Sequence, residues 1–197
     1  HPKREFAEIL LKETARLNTT VENVLQYSRG QQQAEQAEPL SGVLARVARL
    51  LAGQLRKKSI EFRLREDEEA ASVLVDGARL SQVFLNLILN AIDAVPIRGR
   101  IVMEARRQDG GIAVTVSDNG PGVDAADRER IFAPFVSGKV EGTGLGLSIS
   151  RKIVESYGGR IEVAGAPEGG ARFTVFLPSG DALAQAALQE AAGGAHG

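Results

Sequence analysis

Residues 78–95 constrain the fold more tightly than any other stretch of the chain. On a wheel of about 100° per residue, Leu80, Val83, Phe84, Leu87, Ile88, Ala91 and Val95 fall on one broad arc, which predicts a helix packed on a core. Gln82, Asn86, Asn90 and Asp93 fall opposite, flanked by Leu85, Leu89 and Ile92. A surface helix ordinarily carries Lys and Glu there. Two asparagines four apart among apolar neighbours suit a cavity, and an amide oxygen is a hard ligand of the kind Mg2+ takes beside substrate phosphates. From the helix alone, two plain surface amides explain the pair equally well.

The rest of the chain alternates around this helix. Leu40–Lys58 reads as a helix with Ser41 as a candidate cap, followed by short strands at 60–64 and 73–75. Residues 100–106 and 112–117 form a hairpin across Gln108-Asp-Gly-Gly111, and 160–164 and 171–177 form a second across Pro167-Glu-Gly-Gly170. A helix over 145–157 stops at Gly158-Gly159. Strands grouped in hairpins with helices between them predict an α/β fold: a two-layer sandwich with a mixed sheet. Upstream, 3–29 reads as one long helix with Leu10, Leu17 and Val24 at heptad spacing. A glutamine-rich linker then runs to Glu38, and Pro39 ends that pattern. The expected division is a helix plus linker over 1–38, the main α/β domain over 39–180, and an alanine-rich, disordered tail over 181–197.

Two glycine-bearing loops flank the second half of the sheet. The strand at 114–117 runs into Asp118-Asn-Gly-Pro-Gly122-Val123, a tight turn with an acid at its entrance. Gly142-Thr143-Gly144-Leu145-Gly146-Leu147 opens a helix, where backbone N–H groups and the positive end of the dipole face an anion. Its spacing is neither the dinucleotide-binding nor the P-loop pattern. Taken singly, each loop is explained as well by an ordinary turn or by packing.

In order, Asn86-x3-Asn90, Asp118-x-Gly120-x-Gly122, Ile131-Phe132-x2-Phe135 and Gly142-x-Gly144-x-Gly146 resemble the four boxes of the histidine kinase catalytic domain. That family shares its Bergerat fold with type II topoisomerases, heat-shock chaperone ATPases and mismatch-repair ATPases. The likeness extends upstream: Glu13, Arg16, Leu17, Asn18, Val21, Leu25, Tyr27, Ser28 and Arg29 resemble the second helix of the family's dimerisation hairpin, especially its nitrogen-regulator-like branch.

The resemblance implies a set of roles. Asn90 would coordinate Mg2+, with Asn86 beside it on phosphate or metal-bound water and Asp93 at the edge of the site. Asp118 would accept from the adenine amino group of ATP, while Gly120, Gly122 and Val123 let the base approach. Residues 124–141 would form a lid anchored by Phe132 and Phe135, for which core packing is an equally good account. Lys139 would meet a phosphate, unless it is an ordinary surface lysine. Gly142, Thr143, Gly144, Leu145, Gly146 and Leu147 would wrap the triphosphate. The implied activity is transfer of the γ-phosphate to a histidine for relay to a response regulator receiver domain, in a parent that is a homodimer through the helical hairpin. Phosphoryl transfer of this kind needs positioning and charge neutralisation more than covalent help.

The chain departs from the family at the acceptor. It has no His-Glu-x-Arg-x-Pro motif, and its two histidines are His1 and His196. His1-Pro2 would fall in the hairpin's connecting loop, so the phosphoacceptor helix is expected to lie outside this sequence. The start at His1, without methionine, fits a piece of something longer. An ATP hydrolase of the same fold typically carries glutamate where Asn86 stands, and an amide cannot act as a general base. A nucleotide-binding regulator without turnover is the other alternative; the intact boxes and the long helix speak against it.

Composition excludes other classes. Lys+Arg 24 against Asp+Glu 25 gives no basic face for nucleic acid. Cysteine is absent, which removes disulfides, thiolate zinc sites and thiol nucleophiles. No apolar run approaches the roughly 18 residues of a membrane span, so this portion is expected to be cytoplasmic without direct membrane contact, whatever anchor the parent carries.

Overall fold

Alternation along the two hairpins decides which face of the sheet is buried. In a computed structural model of the chain, the described residues are 37–178 apart from 72, 109 and 138–143. They form β1 (Ala37–Pro39), α1 (Leu40–Lys57), β2 (Glu61–Glu66), the one-turn α2 (Glu68–Ala71), β3 (Leu74–Asp76) and α3 (Gly77–Ala94). Then come β4 (Arg100–Gln108), β5 (Gly111–Asp118), a 3-10 turn (Arg130–Phe132), α4 (Gly146–Ser156), β6 (Arg160–Gly165) and β7 (Ala171–Pro178). The main sheet has the order β2-β4-β5-β7-β6. Its β2–β4 pair is parallel and the others are antiparallel, so the sheet is mixed.

Every second residue of the central strands is buried: Ile101, Met103 and Ala105 on β4, Ile112, Val114 and Val116 on β5, Phe173, Val175 and Leu177 on β7. These rows share one core with the stripes of α1 (Val43, Leu44, Val47, Leu51) and α3 (Leu80, Val83, Phe84, Leu87, Ile88, Ala91). Each such side chain contributes about 1.5–3 kcal/mol when fully buried. The whole arc expected of the helix at 78–95 is buried, Val95 included.

The ends of α3 are fixed by side chains distant in sequence. One carboxylate oxygen of Asp76 accepts from Ala78 N and Arg79 N, both at 3.1 Å, and caps the helix. The other accepts from the Tyr157 hydroxyl at 2.7 Å, which ties the start of α3 to the end of α4. At the far end Lys58 Nζ donates to Ile92 O at 2.6 Å, a cation on the negative end of the helix.

Two expectations change. Ser41 does not cap α1: the helix already starts at Leu40 with Pro39 at the cap position and no side-chain cap, and Leu40 N donates to Val73 O at 2.9 Å. Residues 37 and 38, expected in the linker, pair with Asp76 and Val75 in a two-stranded antiparallel ladder. Arg46 donates two hydrogen bonds to the Glu38 carboxylate (2.8 and 2.5 Å), which hold that carboxyl below the usual carboxylate range, and Arg46 also reaches Ser81 Oγ at 3.1 Å. The helix expected over 3–29, most of the linker and the tail from 181 lie outside the described residues. Among the described residues, no helix is long and apolar enough to cross a membrane.

Asp76→Ala removes a cap and a partner of the half-buried Tyr157 hydroxyl, and should cost about 1–3 kcal/mol of unfolding free energy; Tyr157→Phe should cost about 0.5–1.5. Denaturant unfolding of both variants checks this, and a null effect of Asp76→Ala would break the account of how α3 begins.

Candidate functional site

The register that buries Ile112, Val114 and Val116 also buries Asp118, the next residue of the same row, at 6% exposure. A carboxylate there is costly unless it is hydrogen-bonded. Its Oδ1 accepts from Gly120 N at 2.8 Å and from Ala171 N at 3.2 Å. Both bonds fall on one oxygen, Oδ1, and neither on Oδ2.

Glycines build the cradle around this acid. A Cβ on Gly120 would lie 3.0 Å from both Ala94 O and Asp118 Oδ1. At Gly170 (φ +82°) it would lie 2.1 Å from Asp118 O and 2.6 Å from Oδ1. Gly122 (φ +81°) faces Gly170 O, 3.0 Å from where its Cβ would be. Gly170 and Ala171 were not expected in the site. They come from the turn between β6 and β7, and the only trace in the sequence is the Gly-Gly pair that had been assigned to that turn.

The cradle abuts α3 at Ala94. Asn90 and Asn86 lie one and two turns back on the same side of the helix, a strip about 12 Å long at 1.5 Å per residue. Both asparagines are half-buried, and Asp93 is exposed on the last turn. Asn86 Nδ2 donates to Gly146 O at 3.2 Å and to Ser150 Oγ at 3.3 Å, so the strip ends against the first turn of α4. That turn carries no side-chain cap. Uncapped N–H groups and the positive end of the helix dipole there could receive an anion beside the amides.

Gly144 (φ +65°) precedes this turn and lies so close to Phe135 that a Cβ would come within 2.5 Å of its backbone. Phe135 N donates to Gly144 O at 3.0 Å, which holds the two segments together. The two phenylalanines expected as a pair part company. Phe132 is buried, edge-on to Phe173 at 6.4 Å, with the Arg151 guanidinium 5.3 Å from its centroid. Phe135 is 78% exposed with φ +65°. Val123 and Leu147 pack partly buried against the core, and Leu145 occupies the N-cap position of α4. Lys139, Gly142 and Thr143 lie outside the described residues. Among those described, no cluster of His, Cys, Asp and Glu could hold a metal ion. A cation here would rest on amide oxygens and the ligand's own phosphates, which the strip on α3 fits.

Comparison with known proteins points to one family. A family described as histidine kinase-, DNA gyrase B-, and HSP90-like ATPase matches residues 75–181. The chain is 37% identical over 174 residues to the sensor histidine kinase ZraS of Escherichia coli O157:H7, covering 88% of this chain and 38% of that protein. It thus spans well under half the length of this relative. Among solved structures, it resembles the nucleotide-free catalytic domain of histidine kinase ThkA (TM-score 0.69, 34% identity, 75% of this chain and 97% of that one). Full-length ShkA in complex with AMPPNP is similar over 91% of this chain and 40% of that one, with a TM-score of 0.75 and 29% identity. A complex of ThkA with the response regulator TrrA matches at TM-score 0.73 and 32% identity, over 87% of this chain and 49% of that one.

Gly169 and Gly170 test the cradle as a pair. Both have positive φ, but a Cβ on Gly169 meets nothing within 4 Å. Gly169→Ala should therefore cost only the backbone term, about 1–2 kcal/mol, whereas Gly170→Ala should cost at least about 2 kcal/mol more through the crowding of Asp118. Equal losses in chemical denaturation would contradict the packing described.

Proposed function

We propose, on the premise that the chain belongs to the histidine kinase-, DNA gyrase B-, and HSP90-like ATPase family, that it is the ATP-binding catalytic portion of a histidine protein kinase. Asp118 Oδ2 accepts from the adenine amino group, and the glycines at 120, 122 and 170 let the base lie against backbone. Asn90 and Asn86 offer amide oxygens to Mg2+, which supplies charge neutralisation on the phosphates when bound. The first turn of α4 holds phosphate oxygens through its N–H groups, and Gly144, pinned to Phe135, sets the approach to it. Gly142, Thr143 and Lys139 would complete the phosphate contacts.

One observation favours transfer over hydrolysis. Asn86 turns its amide nitrogen toward Gly146 O. A carboxylate in the same place would set a negative oxygen against that carbonyl. The residue is thus suited to donate a hydrogen bond and has no means of taking a proton from water. With no base in this position, the γ-phosphate waits for a nucleophile brought to it. We assign that role to the imidazole of a histidine on a dimerisation helix, with relay onward to a response regulator receiver domain in the cytoplasm. Residues 3–29 would supply one helix of the hairpin through which the parent forms a homodimer.

Asn90→Ala and Asp118→Ala should each raise the dissociation constant for Mg-ATP by about 10- to 100-fold, the effect of losing one hydrogen bond or ligand to a charged group. Calorimetric titrations matching the parent would refute the site. The chain alone should label none of its own residues with phosphate, yet should phosphorylate a supplied hairpin helix carrying the missing histidine, giving an acid-labile, base-stable product. Steady hydrolysis without any acceptor would overturn the kinase reading in favour of an ATPase.

A further inference from the structure

Ser150 lies on the second turn of α4, is 0% exposed, and faces Asn86 across the junction with α3. Packing alone does not call for a hydroxyl at such a position; alanine would fill it. The hydroxyl is committed twice. It donates to Gly146 O at 2.9 Å, and its oxygen accepts from Asn86 Nδ2 at 3.3 Å. Asn86 Nδ2 also donates to Gly146 O at 3.2 Å.

The direction of each bond follows from chemistry. A peptide carbonyl only accepts, so the amide must turn its nitrogen, not its oxygen, toward Gly146. The two Nδ2 protons then have two acceptors, Gly146 O and Ser150 Oγ. With the nitrogen fixed on Gly146 O and Ser150 Oγ, the orientation of Oδ1 is set as well, and it lies beside the first residue of α4, 3.8 Å from where a Cβ on Gly146 would be. The flipped amide would place oxygen against oxygen. All three groups converge on the carbonyl of Gly146, the first residue of α4, so the same network seats the turn whose N–H groups face the anion.

We propose that Ser150 is a positioning residue: through Asn86 it orients the amide oxygen offered to the cation and couples that oxygen to the phosphate-binding turn of α4. The proposal rests on the reading of Asn86 and Asn90 as the cation side of a nucleotide site. It requires that loss of the Ser150 hydroxyl, which leaves one Nδ2 proton without an acceptor, be felt chiefly when Mg2+ is present.

The test is calorimetric titration of the 197-residue chain with AMPPNP, once with Mg2+ and once with EDTA, beside a thermal unfolding midpoint for every variant. Ser150→Ala should weaken Mg2+-dependent binding by about 3- to 10-fold and leave binding in EDTA within about twofold. Ser150→Thr, which keeps the hydroxyl, should restore most of the Mg2+ effect. In an Asn86→Ala background, Ser150→Ala should add nothing. If Ser150→Ala acts equally with and without Mg2+, or equally in both backgrounds, Ser150 is a packing residue and the proposal fails. Asn90→Ala separates the two levels. If it removes the Mg2+ dependence and Ser150→Ala does not touch it, the Ser150 proposal alone falls. If Asn90→Ala leaves that dependence intact, the cation reading falls and the Ser150 proposal with it.

Discussion

A carboxylate at the end of a core-facing row has to be satisfied by the backbone around it. Asp118 continues the row of Ile112, Val114 and Val116, and the strand period that buries those three buries it as well. Only close backbone can supply donors there, and side chains on the surrounding turns would exclude it. The glycines at 120 and 170 are the outcome: two N–H groups reach one oxygen of Asp118, and no Cβ crowds that oxygen. A feature required by the fold is thus also the acceptor that the proposed reading assigns to the ligand.

Helix α3 serves two surfaces. Its apolar arc closes the core over the sheet, while its other side carries Asn86 and Asn90 between the Asp118 cradle and α4. The helix is fixed at both ends, by Asp76 with Tyr157 and by Lys58, so the strip of amides is held at a set distance from both loops. Rigid placement suits phosphoryl transfer, where the protein contributes positioning and charge more than covalent chemistry.

How much of this was legible in the sequence depended on how local the cause was. The arc of α3, the alternation of the hairpins and the stop at Gly158-Gly159 are written within a few residues of where they act, and the structure places those elements within one or two residues of expectation. Ends differ more because caps are tertiary. The hydroxyl of Ser41 gave way to Pro39 and a backbone bond from Leu40, and Asp76 gained a partner 81 positions away in Tyr157. β1 was missed because three residues ending in proline carry no period, and their order comes from β3 and the Glu38–Arg46 pair. At the site, Gly170 and Ala171 reach Asp118 only through the sheet register, and the orientation of the Asn86 amide depends on a carbonyl 60 residues away. The spacing of Phe132 and Phe135 gave no sign that one enters the core and the other stays on the surface.

The central claim is that one ligand bridges the Asp118 cradle and the first turn of α4 along the α3 strip. Amide hydrogen exchange of the chain with and without Mg-ATP tests it most directly. A bridging ligand should add protection at Gly120, at Gly170 and Ala171, and at Gly146 to Ser148 together, with the backbone of β2 unchanged. Protection confined to one of those loops, or placed on β2 and the outer face of the sheet, would contradict it.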